Sequence, residues 1–140
     1  MSYAEAHRGG PRSGSRGHGA QEHQKHQKHQ AAAAGLIAVC PVTELEFFYS
    51  ARSAADRERG IADFRSLFGW VPVHDRACSR AWDVQGELTS QGQHRSAGPV
   101  DLVIAATAEL HRLTLLHHDR DFGVIARVTG QPVRWYGPGP

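Results

Sequence analysis

The chain has 140 residues, 40% of them hydrophobic, a formal charge of +2 and two cysteines. This length supports one domain with a core but not two. Residues 1–34 hold five basic and two acidic residues, so the remainder is nearly neutral, which excludes a broad basic surface for nucleic acid. Cys40 and Cys78 are isolated, which excludes a disulfide framework or zinc site. No stretch approaches roughly 20 apolar residues, so we expect a soluble, cytoplasmic protein without membrane contact.

Residues 1–34 have the composition of a disordered low-complexity tail. The segment 7–21 is rich in Gly, Ser and Arg without apolar periodicity, and so cannot bury enough surface to offset the entropy of ordering. The segment EHQKHQKHQ repeats histidine every three residues, at His23, His26 and His29. Such residues drift by about 60° per step around a helix and form no single chelating face. The folded domain is therefore predicted at 35–140.

From residue 35 onward, short apolar strands alternate with helical patterns. Strands are predicted at 35–40, around 71–73, and at 113–117 and 132–136. Helices are predicted at 43–51, 54–67, 74–90, 98–111 and 120–130. This alternation predicts an α/β fold, a three-layer α/β/α sandwich with a mostly parallel sheet. Ligands in such sheets bind beyond the carboxyl ends of the strands.

Acidic residues fall near the helix ends at that edge of the sheet: Glu46, Asp101, Asp119 and Asp121. Each also has a purely structural explanation. Thr43 and Glu46 match a capping box, Asp101 suits the positive end of a helix dipole, and Asp119 or Asp121 could cap the next helix. However, Asp101 opens a very apolar helix, where a charge needs a partner. Together, the carboxylates predict a site for Mg²⁺ or Mn²⁺ and metal-assisted hydrolysis.

Neighbouring polar residues are assigned other roles. Glu44 and Glu109 lie near the same helices without the same first-turn position and apolar framing, so we expect both to be exposed. His117 and His118 could bind metals, but sites rich in oxygen ligands select Mg²⁺ or Mn²⁺ rather than the softer metals that imidazole favours. Arg95, in the loop before Asp101, is either a phosphate-binding residue or a solvated loop arginine.

From Gly35 to its end, the chain resembles a PIN domain of the VapC branch of bacterial toxin–antitoxin modules. The motifs that carry this resemblance are VTELEFFYSAR at 42–52, SAGPVDLVIAATA at 96–108 and TLLHHDRDFGVIA at 114–126. The resemblance covers about three quarters of the chain. It implies an acidic cluster that binds Mg²⁺ or Mn²⁺ and cleaves single-stranded RNA, with a cognate antitoxin and a homodimer as partners.

The resemblance also assigns the acidic positions. The helix-borne glutamate of the family falls on Glu46 rather than Glu44. The aspartate that opens the apolar helix is Asp101. The acid after the last core strand is Asp119, with Asp121 close enough to share or replace its role.

The chain departs from the family pattern at its start. The family begins with a strand that ends in aspartate, typically xxDTSxL, whereas the segment before GLIAVC has neither an aspartate nor an apolar strand. We therefore expect an incomplete PIN domain without its first strand and without one main metal ligand. Glu5 or Glu22 could substitute only if the tail folded back. One hypothesis is that the tail is a mis-framed or mis-started reading of the gene, or an extension unrelated to a truncated domain.

Three functions follow from the sequence. The leading one is a Mg²⁺-dependent endoribonuclease toxin that hydrolyses RNA phosphodiester bonds. The alternative is a catalytically impaired remnant that keeps only antitoxin or subunit binding, and such a chain would be poorly stable and nearly inactive. A third class is an RNA-binding module without catalysis, whose contacts come from the basic tail.

Overall fold

Short strands alternate with helices in the computed structural model, which describes residues 3–5 and 37–136. The elements are β1 (Tyr3–Glu5), β2 (Ile37–Val39), α1 (Pro41–Phe48), α2 (Ala54–Leu67), β3 (Gly69–Trp70), α3 (Ala77–Ser90), α4 (Pro99–Leu110), β4 (Thr114–His117), α5 (Arg120–Thr129) and β5 (Val133–Trp135). The strand predicted around 71–73 lies earlier, at β3, since Pro72 has no N–H for a strand ladder. Within the described ranges, no helix is long and apolar enough to cross a membrane.

The strands form one sheet in the order β3-β2-β1-β4-β5. β2 pairs with β3 and β4 pairs with β5 in parallel, whereas β1 is antiparallel to both β2 and β4. Consequently β2, β3, β4 and β5 all point the same way, and their carboxyl ends share one edge. Right-handed connections place α1 and α2 on one face and the later helices on the other, which matches the predicted mostly parallel α/β fold.

The expectation of a missing first strand needs correction, because β1 fills the centre of the sheet in the opposite direction. A ladder needs only backbone groups, so three residues without an apolar pattern can satisfy the inner edges of β2 and β4. Tyr3–Glu5 belong to the tail that was predicted to be disordered, but they form a strand. The other residues of that tail lie outside the described ranges. Glu5 pairs with Ile37 and Thr114, the first residues of β2 and β4. It is therefore about 10 Å from the carboxyl edge, at 3.3 Å per residue.

Two sets of contacts fix the helices that border this edge. The main core buries Leu88 of α3, Leu115 of β4 and Ile125 of α5 almost completely. Arg80 of α3 donates two hydrogen bonds to Glu109 of α4, at 2.8 and 3.0 Å. A separate aromatic cluster joins α1 to α2 through Phe47, Phe48, Phe64 and Phe68.

Candidate metal centre

Helix α1 begins directly after β2 and carries the first acidic residue. Cys40 is its N-cap, and Pro41 occupies the first turn, where its missing N–H is tolerated. Thr43 is consequently inside the helix, buried, with its hydroxyl 3.5 Å from the Cys40 Sγ. The capping box of Thr43 and Glu46 is therefore wrong. Glu46 is exposed in the second turn, and a helix cap does not explain it.

The two glutamates expected to be exposed are instead paired with arginines. The Glu44 carboxylate lies 3.5 Å from the Arg65 guanidinium of α2, and only 15% of its side chain is exposed. Glu109 forms the bidentate pair with Arg80. Among the residues that the structure describes, Glu46 has no such cationic partner, which separates it from both.

Asp101 is the third residue of α4, at the same edge of the sheet. Because α4 leads into β4 through residues 111–113, its first turn lies beside the carboxyl ends of the strands. The Gly98 N–H donates to Asp101 Oδ2 at 3.2 Å, so Asp101 caps its helix and uses one oxygen to do so. Burial raises the pKa of Asp101, the Gly98 hydrogen bond opposes this rise, and the charges of Glu46 and Asp119 raise the pKa further.

Asp119 and Asp121 lie at the turn from β4 into α5. Asp119 is the N-cap, and its Oδ1 accepts a hydrogen bond from the Asp121 N–H at 3.0 Å. Asp121 is half-buried in the first turn, where burial raises its pKa and the charges of Asp119 and Asp101 raise it further. Both aspartates thus act electrostatically on the same site, and the geometry does not single out one of them.

The donor chemistry of this site fits a hard divalent cation. Asp101 is repelled by the charges of Glu46 and Asp119, and Asp121 by those of Asp119 and Asp101. No Arg, Lys or His side chain of residues 37–136 acts on either aspartate. Within the described part of the chain, no three acidic, His or Cys side chains converge closely enough to hold an ion by themselves. Mg²⁺ suits such an arrangement because it keeps several waters and needs only one or two direct carboxylates.

The central strand supplies no acid to this edge within the described residues. Its register places Tyr3 opposite Leu116, one residue before the end of β4. The position where the family carries its first aspartate is thus approached by an antiparallel strand. Glu5, the acidic residue of β1, lies at the opposite end of the strand, opposite Thr114.

The remaining candidates occupy different places at the edge. Arg95 is exposed in the loop between α3 and α4. His118 is exposed, with its ring 5.1 Å from that of Tyr136. His117 is buried, and its Nδ1 lies 2.7 Å from the Asp119 carbonyl oxygen; burial lowers its pKa. The sequence pattern disfavours His117 as a metal ligand and was given no other interpretation, although its position at the end of an apolar strand indicates a buried side chain.

Comparisons with known proteins agree with this architecture. The model of the PIN domain family matches residues 18–128. The chain therefore belongs to the PIN-domain family, as a member of its VapC branch. It is 45% identical over 101 residues to ribonuclease VapC21 of Mycobacterium tuberculosis, covering 72% of this chain and 73% of that protein. It is 37% identical over 123 residues to ribonuclease VapC18 of the same organism, covering 86% and 89%.

Solved structures show the same fold. DNA-bound VapBC from Salmonella typhimurium matches with a TM-score of 0.63 at 21% identity, over 80% of this chain and 83% of that chain. VapBC2 from Rickettsia felis, bound to a promoter DNA fragment, matches with a TM-score of 0.59 at 18% identity, over 71% and 74%. The resemblance in the three sequence motifs is thus confirmed at the level of family and fold.

Proposed function

We propose that the chain is a Mg²⁺- or Mn²⁺-dependent endoribonuclease toxin that hydrolyses RNA phosphodiester bonds and is held in check by an antitoxin. The observation that carries the proposal is a group of acidic side chains at the carboxyl edge of the sheet, in which the charges of Glu46 and Asp119 act on Asp101 and those of Asp119 and Asp101 act on Asp121. Membership in a family whose curated relatives are ribonucleases supports the reaction class.

Each acid has a defined task in this proposal. A bound divalent ion supplies charge neutralisation at the phosphate and a more acidic water. Glu46, Asp101 and Asp119 hold that ion, directly or through its waters, with Asp121 sharing the role of Asp119. The Gly98 hydrogen bond fixes one oxygen of Asp101, which limits rotation of the carboxylate. Arg95 contacts an RNA phosphate, as its exposure and position before α4 allow.

Partners follow from the surface and from the solved relatives. The matched structures are VapB–VapC assemblies, which supports a cognate antitoxin for this chain. Large apolar side chains are exposed on α1 and α3: Leu45 is 69%, Tyr49 92% and Trp82 76% exposed. Leu45 and Tyr49 are spaced by four residues and so share one side of α1. An exposed apolar side of this kind suits contact with another protein and supports a homodimer. The proposed site of action is the cytoplasm, where RNA and antitoxin are accessible.

Cleavage of an RNA that contains single-stranded regions tests the proposal directly. Wild-type protein should cut it with Mg²⁺ and lose that activity with a chelator. Asp101→Asn should lower the rate by about 100-fold or more, because it removes a half-buried charge beside the ion. Glu109→Gln on the same helix is the matched control and should leave the rate within about threefold. Equal losses in both variants, or cleavage that survives chelation, would contradict the assigned site.

The alternative function is a catalytically impaired remnant that keeps only antitoxin or subunit binding. One observation favours it, namely that within the described residues β1 contributes no acidic residue to the carboxyl edge. A Mn²⁺ titration separates the two functions: no binding at millimolar metal favours the remnant, whereas saturable binding favours the nuclease.

The hypothesis of an RNA-binding tail falls almost entirely on residues outside the described ranges. Deletion of residues 1–34, followed by measurement of the salt dependence of RNA binding, would test it.

A further inference from the structure

His117, the last residue of β4, is a buried polar side chain beside the acidic site. Only 4% of the residue is exposed. Its ring packs against Phe122 of α5 at 5.6 Å and meets Trp135 of β5 edge-on at 5.4 Å. These two neighbours hold the imidazole plane, because a buried ring in contact with two others cannot turn freely.

The imidazole makes a defined hydrogen bond. Its Nδ1 lies 2.7 Å from the backbone carbonyl oxygen of Asp119. A carbonyl oxygen only accepts hydrogen bonds, so Nδ1 carries the proton and acts as the donor. The bond spans two residues and closes the turn between β4 and α5. Little water competes for it, since the ring is buried.

Asp119 is thereby held from two sides. Its carbonyl oxygen accepts from His117, and its carboxylate accepts from the Asp121 N–H at 3.0 Å. The backbone of His117 is anchored in turn, because its carbonyl oxygen accepts from the Tyr136 N–H beyond β5 at 2.8 Å. A chain of hydrogen bonds therefore runs from the sheet through His117 to an otherwise exposed acid.

We propose that His117 is a positioning residue: its Nδ1–H bond to the Asp119 carbonyl sets the turn that directs the Asp119 carboxylate toward Asp101. His117 does not touch the metal or RNA in this role. The role of His117 in setting the turn is inferred from the hydrogen bonds alone. Its consequence for metal binding rests on the proposed function.

Two substitutions separate positioning from space filling. In His117→Asn the side-chain nitrogen is bonded to Cγ, as Nδ1 is, so the donor is kept at nearly the same place. In His117→Leu the side chain has the same branching and no donor. Both variants lose the ring contacts with Phe122 and Trp135, so both should show similar decreases in melting temperature.

Solvent exchange of the Asp121 amide, measured by NMR without metal, reports the Asp119 carboxylate directly. Exchange should be about tenfold faster in His117→Leu and near the wild-type rate in His117→Asn. The Mn²⁺ affinity should fall by roughly 10- to 100-fold in His117→Leu, as for partners that orient metal ligands, and stay within about threefold in His117→Asn.

Two other outcomes would contradict different parts of this reasoning. Equal amide exchange in the Asn and Leu variants would mean that His117 only fills space, and would overturn the proposal. Failure of the wild-type protein to bind Mn²⁺ would contradict the proposed function instead, and the exchange of the Asp121 amide would still decide the role of His117.

Discussion

Glu44 and Glu46 lie two residues apart on α1, yet we predict opposite responses when each loses its charge. Glu44 is paired with Arg65 at 3.5 Å, whereas Glu46 is exposed and its charge acts on Asp101. Substitution of either by Gln keeps the shape of the side chain and removes one negative charge. The pair is therefore a matched test of which glutamate belongs to the acidic site.

The expected magnitudes follow from exposure. The guanidinium of Arg65 is 65% exposed, so Glu44→Gln should lower the free energy of unfolding by about 0.5 kcal/mol, as for a surface pair. Glu46→Gln removes a repulsion and should leave the stability of the metal-free protein unchanged or slightly higher. For metal binding, a single charge about 4 Å from a divalent ion in a water-like dielectric contributes about 2 kcal/mol. Glu46→Gln should therefore weaken Mn²⁺ binding by roughly 30-fold, and Glu44→Gln by less than about twofold.

Calorimetric Mn²⁺ titration at low ionic strength measures the affinity, and urea unfolding without metal measures the stability. Low salt matters because screening weakens the contribution of an exposed carboxylate. Equal losses of affinity in the two variants would refute the argument that Arg65 removes Glu44 from the site. A decrease of more than about 1 kcal/mol in the stability of metal-free Glu46→Gln would show instead that Glu46 has a structural role.

Three further predictions follow from the site and its supports. Asp101 and Asp121 have pKa values raised above 3.8 in the folded protein, so protonation of these two carboxyl groups stabilises the folded state. This contribution to the free energy of unfolding is complete below about pH 3.8 and is lost as the pH rises through the raised pKa values. Melting temperatures of metal-free protein against pH should show that loss, and saturating Mg²⁺ should oppose it. Glu109→Gln leaves Arg80 partly buried without its bidentate partner and should cost about 1–2 kcal/mol, seen as a decrease of roughly 3–8 °C in melting temperature. Gly98→Ala places a Cβ 3.3 Å from Asp101 Oδ2 and should weaken Mn²⁺ binding while leaving the melting temperature nearly unchanged; an unaltered affinity would show that the carboxylate can shift without consequence.

Sequence reasoning found the parts of the fold that depend on local pattern. The buried positions of α3, namely Ala77, Ala81, Val84 and Leu88, repeat at helical spacing, which is the pattern that predicts a helix over 74–90. Pro99 lies in the first turn of α4, where proline is favoured, near the start of the helix predicted at 98–111. The same rule, applied to Pro41, would have placed the cap of α1 at Cys40 and prevented the wrong capping box.

The rest depended on contacts between distant segments. The pairing of Glu44 with Arg65 requires α2 to fold back on α1, which no local pattern reveals. β1 was missed because Tyr3–Glu5 contributes backbone groups rather than an apolar strand pattern. The hydrogen bond of His117 was missed because it goes to a carbonyl oxygen, and sequence identifies side-chain partners more readily than backbone ones.

The reversed central strand has a consequence for how the chain could be shortened. Glu5 lies directly opposite Ile37, so the connection of about 30 residues leaves and re-enters the sheet at neighbouring points, on the edge away from the acids. The two strands that it joins are adjacent and antiparallel, as the strands of a simple β-hairpin are. A tight turn of about four residues could join Glu5 to Ile37 directly, and among flexible loops each halving of length lowers the entropic cost of closure by about 0.6 kcal/mol. The described strands and helices would then be joined in a chain of about 110 residues.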